Sequence, residues 1–268
     1  MRSQIRHLKE HILRAACVAG EGHIASAFSI LDILWVLYHG LLRHDPANPA
    51  DPARDRFVLS KGHASLGIYG ILATRGFFPM EELKTFASSS GRLGGHPDSR
   101  KVPGVEASTG SLGHGMPMAA GMALGLKIRE SSSRVVCIVG DGECNEGAVW
   151  EAIMFAGQHR LKNLVAMVDC NGRSMLGYTQ DILDLSPLST KFEAFGWEAC
   201  VVADGHDIGQ LATAFHTLLH SESDKPKVLV ANTLKGKGVP SLEGNPLAHV
   251  MGVSTAEIDS ILAAGGAA

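Results

Sequence analysis

The chain has 268 residues, of which 45% are hydrophobic and 19% charged, and its formal net charge is −3. A chain of this length can bury a full core as one large domain, without disulfides or a structural metal. The near-neutral charge, with no stripe of Lys or Arg, excludes an electrostatic basis for nucleic-acid or acidic-membrane partners, and we expect neither.

The cysteines and the N-terminal segment bear on the cellular compartment. The five cysteines are odd in number and form no CxxC pair, so the sequence predicts neither a disulfide framework nor a zinc finger. Most of them lie in apolar runs, which is typical of buried free thiols. The N-terminal segment is charged throughout and lacks the apolar core of a signal peptide. We recognise no apolar run of membrane-spanning length and expect a cytoplasmic protein.

Helical and irregular segments alternate in the first half of the chain. Apolar residues recur at helical spacing near the N-terminus, as in Ile5, Leu8 and Ile12. A long Gly-, Ser- and His-rich stretch further on is irregular, and loops of that length are usually functional or disordered. The predicted elements are, in chain order, helices over 3–18 and 27–39, a loop over 44–54, a strand over 56–60, helices over 65–75 and 79–87, an irregular segment over 88–114 and a helix over 116–126.

The second half contains the clearest supersecondary unit. A strand over 134–139, a helix over 145–159 and a strand over 164–169 form a βαβ unit, which makes a parallel sheet with a right-handed crossover. Further predicted elements are strands over 197–202 and 227–232 and a helix near 208–220. We therefore predict a doubly wound, mostly parallel α/β sheet with helices on both faces. No internal repeat or linker is evident, so we expect a single domain over 1–268.

The segment GDGECNEG follows a predicted strand and leads into a helix. In open α/β sheets, ligands bind at the carboxyl ends of the strands. Gly140 and Gly142 permit close approach of phosphate oxygens, and the start of a helix favours anions. Asp141 can bind a hard cation, and Asn171 follows the next strand at the same edge of the sheet. Two such ligands are too few to enclose Mg²⁺, which completes its shell with phosphates and water, so the pair predicts metal-mediated phosphate binding.

The spacing from Asp141 to Asn171, across one helix and one strand, resembles the thiamine diphosphate motif. In that family the two side chains and one backbone carbonyl bind Mg²⁺, which binds the diphosphate. The resemblance implies the carbonyl of Arg173, at a position where the family often has an apolar residue. GDG and NG are also ordinary turn sequences, so a plain α/β protein in which they only cap turns remains an alternative. The phosphate motifs GxxxxGK[ST] and GxGxxG are absent.

Four of the 13 histidines lie in Gly- and Ser-rich turns: His23, His63, His96 and His114. Imidazoles in such turns can donate to sugar hydroxyls and phosphates and can transfer protons near neutral pH. A simple exposed-loop position is the alternative for any one of them. For the others we expect solvated surface positions: His7, His11, His39, His44, His159, His206, His216 and His220.

The stretch from about residue 11 to residue 250 resembles the N-terminal, diphosphate-binding domain of the transketolases. LSKGHAS, GGHPD, TGSLGHG, GDGECNEG, WEA and NTLKGKG occur in the order of that family's landmarks. The resemblance implies that His23 contacts the sugar and that His63 and His96 line the site near the reactive end of the cofactor. We predict these three as catalytic. Glu146 and Glu151 match helix carboxylates, of which the first lies at the subunit interface in the family.

The same resemblance implies the remaining site residues. His114 stands where the family often has Gln, so it is expected to have no catalytic role. His249 is the candidate for a late histidine near the diphosphate, in a segment whose alignment is ambiguous. The implied magnesium ligands are Asp141, Asn171 and Arg173. The implied cofactor-binding residues are His63, Gly110, Ser111, Leu112, Gly140, Asp141, Gly142, Glu143, Asn171, Met175 and His249.

The resemblance covers only the first domain of a transketolase. A full transketolase continues into a pyrimidine-binding domain, which carries a Glu that acts on the aminopyrimidine ring, and into a C-terminal domain. We expect both domains on a second polypeptide and an α₂β₂ heterotetramer that is active only with both chains. The chain should then expose an apolar face that the partner covers, and Val149, Trp150 and Met154 are its candidates. The alternative is that they pack against the sheet, and helical spacing allows some of them to do each.

The implied activity is transfer of a two-carbon ketol unit from a ketose, such as a ketose phosphate, to an aldose. Thiamine diphosphate and Mg²⁺ are the implied cofactors. The corresponding chain of a two-oxo-acid dehydrogenase shares the GDG and Asn positions and is an alternative, although SKGHAS and GGHPD favour a polyol substrate. A non-catalytic relative that retained the fold is a further alternative.

Overall fold

A five-stranded parallel sheet forms the centre of the protein. The computed structural model describes residues 2–20 and 22–263. The strands are β1 (Arg56–Leu59), β2 (Val135–Gly140), β3 (Leu164–Cys170), β4 (Glu198–Val202) and β5 (Lys227–Asn232). Their order across the sheet is β1-β2-β3-β5-β4, and every neighbouring pair is parallel. All five carboxyl ends therefore meet at one edge of the sheet.

Helices cover both faces of this sheet. They are α1 (Arg2–Ala19), α2 (Ile24–Val36), α3 (Ser65–Thr74), α4 (Gly115–Ile128), α5 (Gly147–Gln158), α6 (Thr179–Leu183), α7 (Leu188–Ala194), α8 (Ile208–Leu219) and α9 (Thr255–Ala263). The first three, with α8 and α9, pack on one face, and α4, α5 and α7 pack on the other. Successive residues of β2 alternate between the two cores, as the period of a strand requires. The predicted fold class is confirmed.

Helix α2 is buried along its whole length because it lies between the sheet and the outer helices. Its apolar sequence continues into a π-helical turn, Leu37–Leu41. Together the 18 residues Ile24–Leu41 have a mean hydropathy of 1.6, which is long and apolar enough to cross a membrane by composition. The expectation that no apolar run reaches that length is therefore wrong. In this fold 83% of the segment is buried inside the protein, as in the core helix of a globular domain.

Several predicted boundaries shift where local signals are weak. The predicted helix over 79–87 is a 3₁₀ segment, Met80–Thr85, that follows Pro79. The helices α6 and α7 were not predicted, because they have only 5 and 7 residues and too few turns for a periodic pattern. Helix α9 also went unrecognised, although Ile258 and Ile261 pack into the core. The irregular stretch over 88–114 ends where α4 begins at Gly115.

Two groups of residues lie elsewhere than the sequence predicted. Val149 was expected on a partner-facing surface, but it is fully buried against the sheet. On the same helix Trp150 is half-buried, and Met154 is 44% exposed. His206 was expected on the surface, but only 9% of its side chain is exposed. His11 and His44 are half-buried, and His44 accepts a hydrogen bond from Arg75.

The buried position of His206 has a clear structural role. Its Nδ1 lies 2.9 Å from the Asp32 carboxylate, and its Nε2 accepts a hydrogen bond from the Leu234 amide at 2.8 Å. Because the amide can only donate, Nδ1 carries the ring proton and donates to Asp32. The imidazole therefore connects α2 to the segment after β5.

A close approach between α5 and the loop after α7 generates a stability prediction. A Cβ on Gly157 would overlap the Phe195 carbonyl oxygen, whereas a Cβ on Gly121 in α4 has no atom within 4 Å. We expect Gly157→Ala to lower the free energy of unfolding by about 1–3 kcal/mol through overpacking. Gly121→Ala should raise it by about 0.5–1 kcal/mol, since Ala favours the helix over Gly. Urea denaturation of the two variants checks this, and equal effects would contradict the packing argument.

Candidate active site

A cleft with a volume of about 510 Å³ lies at the carboxyl ends of β1, β2 and β3. This is where ligands bind in open α/β sheets. Of the predicted site residues, the cleft is lined by His23, His63, His96, Gly110, Leu112, Gly140, Asp141, Gly142, Glu143, Asn171, Arg173, Met175 and His249. Glu146 also lines it. Ser111, His114 and Glu151 are exposed and lie outside this lining.

The GDG turn fixes Asp141 at the end of β2. Its Oδ1 accepts the Gly142 amide at 2.9 Å, and its Oδ2 accepts the Gly172 amide from the loop after β3 at 2.6 Å. Burial and then the nearby Asp169 carboxylate raise the pKa of Asp141 to about 6. The carboxylate therefore carries a desolvation cost that a bound cation would relieve.

Asn171 lies beside Asp141 after β3. Its Nδ2 donates to Asp169 at 3.0 Å and to Ser29 at 3.1 Å, so its amide orientation is set by two acceptors. Its Oδ1 accepts the Arg173 amide at 3.0 Å and retains a free lone pair.

The oxygen atoms around the GDG turn fit magnesium. A Cβ on Gly142 would lie 3.7 Å from the Arg173 carbonyl oxygen, which puts that oxygen next to the turn. Within residues 2–20 and 22–263, no three His, Cys, Asp or Glu residues are grouped so as to hold a metal ion. One carboxylate, one amide and one carbonyl oxygen suit a hard cation that takes its remaining ligands from phosphate and water.

A buried ion pair lies directly beneath this turn. Asp169, at the end of β3, is fully buried and pairs with the Lys61 ammonium, which is also buried. Ser29 donates to the same carboxylate at 2.7 Å, and Thr233 donates to it as well. Burial raises the pKa of Asp169, but the Lys61 charge and these hydrogen bonds outweigh it, and the net shift is downward.

Glu143 holds a second set of loops together. Its carboxylate accepts the Ser60 hydroxyl at 2.5 Å, the Gly113 amide at 2.9 Å and the Gly140 amide at 3.2 Å. Burial raises its pKa despite these donors. These contacts give Glu143 a role in holding the loops, and its predicted cofactor-binding role remains a prediction.

Three histidines meet at one end of the cleft. The ring centroids of His23 and His63 are 5.3 Å apart, and each ring lies within 5 Å of the His249 ring, at 4.8 and 4.9 Å. His23 Nδ1 also contacts the His249 carbonyl oxygen at 2.8 Å. The ambiguous sequence position of His249 is thereby placed next to two predicted catalytic residues.

The environment of this cluster keeps the His63 and His249 imidazoles neutral. Burial, followed by the charge of Lys61, lowers the pKa of His63 strongly. Burial and then the Lys235 charge lower the pKa of His249 to about 3. Lys235 Nζ lies 2.9 Å from His249 Nδ1, and its own pKa falls to about 8 through burial and the nearby Lys61. The end of the cleft thus presents the neutral rings of His63 and His249 beside the buried amines of Lys61 and Lys235.

His96 reaches the cleft from the long irregular segment. Tyr69 on α3 donates to the His96 carbonyl oxygen at 2.9 Å and contacts that of Gly94 at 3.0 Å. Gly110 has φ of 156°, and a Cβ there would lie 2.9 Å from the His96 ring. A glycine is therefore required for the ring to pack against this loop. Burial lowers the pKa of His96.

The Arg173 side chain links two loops at the mouth of the cleft. Its guanidinium carbon lies 3.6 Å from the centroid of the Tyr178 ring, and Nη2 donates to the Gly244 carbonyl oxygen at 2.8 Å. The loop after β3 is thus joined to the segment that carries His249. Met175 lies between Arg173 and Tyr178 in the sequence, and its side chain is 69% exposed at the rim of the cleft.

Sequence reasoning missed several residues of the site. Lys61 and Lys235 line the cleft, and they belong to the recognised segments SKGHAS and NTLKGKG. A lysine within a Gly-rich motif was the signal that could have identified them as site residues. Asp169 ends a strand read only as apolar, and Ser29 lies within an apolar helix. Their contact across 140 positions of sequence has no local signature.

Comparison with known proteins identifies the class. The family model "Transketolase, thiamine diphosphate binding domain" matches residues 2–267. The fold and the site therefore define a thiamine diphosphate-binding domain. The chain belongs to the transketolase family.

Relatives with assigned names agree. The chain is 42% identical over 232 residues to a 6-deoxy-6-sulfo-D-fructose transketolase subunit of Clostridium sp. (strain MSTE9), covering 87% of this chain and 84% of that one. It is 40% identical over 238 residues to an apulose-4-phosphate transketolase subunit of Actinobacillus succinogenes, covering 89% and 85%. It is 38% identical over 252 residues to transketolase of Rattus norvegicus, covering 93% of this chain but 39% of the rat protein.

Solved structures show the same relationship. Transketolase from Leishmania mexicana matches with a TM-score of 0.88 at 28% identity, covering 98% of this chain and 41% of that one. Transketolase from Campylobacter jejuni matches with a TM-score of 0.84 at 29% identity, covering 99% and 43%. The chain spans well under half the length of these solved proteins. The predicted family, the transferase class and thiamine diphosphate binding by the domain are confirmed.

The buried ion pair generates a stability prediction. Lys61→Met leaves Asp169 buried without its cation, and we expect the free energy of unfolding at pH 7 to fall by about 3–5 kcal/mol. The depressed pKa of Asp169 stabilises the native chain above the ordinary Asp pKa. In the variant, burial raises that pKa. The difference in the free energy of unfolding between the native chain and the variant should therefore shrink as pH falls toward about 4.

Urea denaturation between acidic and neutral pH measures this difference. Lys162→Met is the matched control, since Lys162 is exposed, and it should change stability little. A pH-independent deficit for Lys61→Met would show that lost packing, and not the unpaired carboxylate, causes the effect.

Proposed function

We propose that the chain is the N-terminal subunit of a thiamine diphosphate- and Mg²⁺-dependent transketolase. The enzyme transfers a two-carbon ketol unit between a ketose phosphate and an aldose phosphate. The observation that carries the proposal is the meeting of Asp141 and Asn171 with His23, His63 and His96 in one cleft. The oxygen ligands suit a metal and a diphosphate at one end of the cleft, and the imidazoles, which can form hydrogen bonds, suit a polyol at the other.

The metal and diphosphate belong at the GDG turn. Asp141, the Asn171 side-chain oxygen and the Arg173 carbonyl oxygen would hold Mg²⁺, and the diphosphate oxygens would complete its shell. Gly140 leaves room for them, because a Cβ there would have no neighbour closer than 3.9 Å. When bound, thiamine diphosphate supplies the carbanion chemistry of ketol transfer. The chain's part is to bind, to orient and to exclude water.

The histidines act on the sugar. Neutral imidazole can donate a hydrogen bond through one nitrogen and accept through the other, which suits neighbouring hydroxyl groups. The lowered pKa values of His63, His96 and His249 favour this form at pH 7. Lys235 adds a positive charge at the same end, where negative charge develops or a phosphate binds.

A second polypeptide completes the enzyme in this proposal. The relatives from Clostridium and Actinobacillus are named as subunits, and this chain covers 84% and 85% of their lengths. The rat transketolase is matched over only 39% of its length. We infer a partner that carries the pyrimidine-binding and C-terminal domains, an α₂β₂ assembly and a cytoplasmic location.

Cofactor binding is tested by calorimetric titration of thiamine diphosphate into the chain with Mg²⁺, with and without the partner polypeptide. We expect Mg²⁺-dependent binding that tightens with the partner and weakens at least roughly tenfold in Asp141→Ala, since loss of an outer-shell partner alone costs that much. Asp224→Ala is the control, because it removes only an exposed ion pair with Arg160. Equal binding by Asp141→Ala and the native chain would reject the metal role of Asp141.

Activity is tested by reconstitution. We expect no steady-state ketol transfer from the chain alone and transfer when the partner is added. In the complex, His63→Ala should lower kcat/KM by about 10²-fold or more, the usual contribution of a positioned proton-transfer group. His216→Ala, on the exposed side of α8, should leave it unchanged. Full activity from the isolated chain would overturn the two-subunit proposal.

A further inference from the structure

Two histidines on α1 form a cluster that the active site does not use. His7 and His11 lie one helical turn apart, with their Nε2 atoms 3.0 Å apart and their rings nearly perpendicular at 89°. His7 is exposed and His11 half-buried, so both rings are accessible to solvent ions. Residues 7–11 read His-Leu-Lys-Glu-His, which is the H-x-x-E-H spacing by which a helix directs two imidazoles to one metal ion.

The distance between the two nitrogens suits a shared ion. With metal–nitrogen bonds of about 2.0–2.1 Å, a separation of 3.0 Å corresponds to a nitrogen–metal–nitrogen angle of roughly 95°. That angle is close to the one between neighbouring octahedral ligands, and small side-chain rotations widen it toward the tetrahedral value. An ion would replace the proton that one ring now shares with the other.

The surroundings leave space for further ligands. His7 borders a shallow cavity of about 220 Å³ that it shares with Gln4 and Thr74, among others. Glu10 is held by Arg14 at 3.0 Å on the same helix. Within the described residues no third His, Cys, Asp or Glu completes a cluster here. Water would therefore supply the remaining ligands, and the site would bind an ion without catalysing a reaction.

We propose that His7 and His11 form a surface site for a divalent first-row transition ion with affinity for imidazole, of which Zn²⁺ is the probe. The site is separate from the magnesium position. Mg²⁺ prefers oxygen ligands and does not compete for a pair of imidazoles. The ion would fasten two successive turns of α1 and stabilise the chain by mass action.

A second histidine pair on the same molecule provides an internal control. His216 and His220 have the same spacing on α8, but their rings stack at 24° with centroids 4.0 Å apart. His220 Nδ1 is already bound to the His216 carbonyl oxygen at 2.8 Å. Stacked rings do not direct their free nitrogens to one point, so this pair is not arranged for an ion.

The test is calorimetric titration of Zn²⁺ into the untagged chain in excess Mg²⁺, which occupies oxygen sites. We expect one bound Zn²⁺ in the native chain and in His216→Gln. His7→Gln and His11→Gln should each lower the affinity for Zn²⁺ at least tenfold, since loss of an outer-shell partner alone lowers metal affinity by roughly that factor. Added Zn²⁺ should raise the melting temperature of the native chain but not of these two variants, which without Zn²⁺ should melt like the native chain.

Three outcomes would overturn the proposal. The native chain binds no Zn²⁺, or both α1 variants bind it as tightly as the native chain, or His216→Gln loses it. The cleft has imidazoles of its own, so His249→Gln separates the two sites: it should bind Zn²⁺ like the native chain whether or not the proposed transketolase activity holds. Loss of Zn²⁺ in His249→Gln, with binding kept in His7→Gln, would assign the ion to the cleft and reject the α1 site.

Discussion

The buried carboxylate of Asp169 is the constraint on which the rest of the site depends. It stands at the end of the central strand β3, where water cannot reach it, and an ionised group in that position must be neutralised by the protein. Lys61 supplies the charge, and Ser29, Thr233 and Asn171 supply hydrogen bonds. These donors come from α2 and from the loops after β1, β3 and β5. One charge therefore determines where four separate segments meet.

Glu143 has the same effect on the other side of the GDG turn, where it gathers the loops after β1 and before α4. Between these two carboxylates stands Asp141, whose side chain accepts hydrogen bonds from two backbone amides of the described chain and has a pKa raised to about 6. The hydrogen bonds of Asp169 and Glu143 hold the loops around the turn, and in the proposed function Asp141 binds the metal. Such a division of roles is what preorganisation of a metal site requires.

The sequence was sufficient for the parts of this arrangement that have a local signature. The βαβ pattern located β2, α5 and β3, and the GDG and Asn positions located Asp141 and Asn171 at one edge, as the structure has them. It was insufficient where contacts join distant segments. Nothing near Lys61 indicates that its ammonium lies under β3, and nothing near His206 indicates that Asp32 and Leu234 enclose it. The predicted exposure of Val149 was wrong for a related reason. Helical spacing shows which residues share a helix face, but only the packing shows which face contacts the sheet.

The strand order has a consequence for synthesis of the chain. β4 precedes β5 in sequence, yet β5 lies between β3 and β4 in the sheet. As the polypeptide leaves the ribosome, β4 has no hydrogen-bonding neighbour until the following strand emerges, and β3 exposes an unpaired edge for the same interval. Thr233, which donates to Asp169, follows that last strand. The nascent chain thus passes through a stage with exposed strand edges and with an Asp169 carboxylate that lacks one of its hydrogen-bond donors, in which holding by a chaperone would protect it from edge-to-edge association.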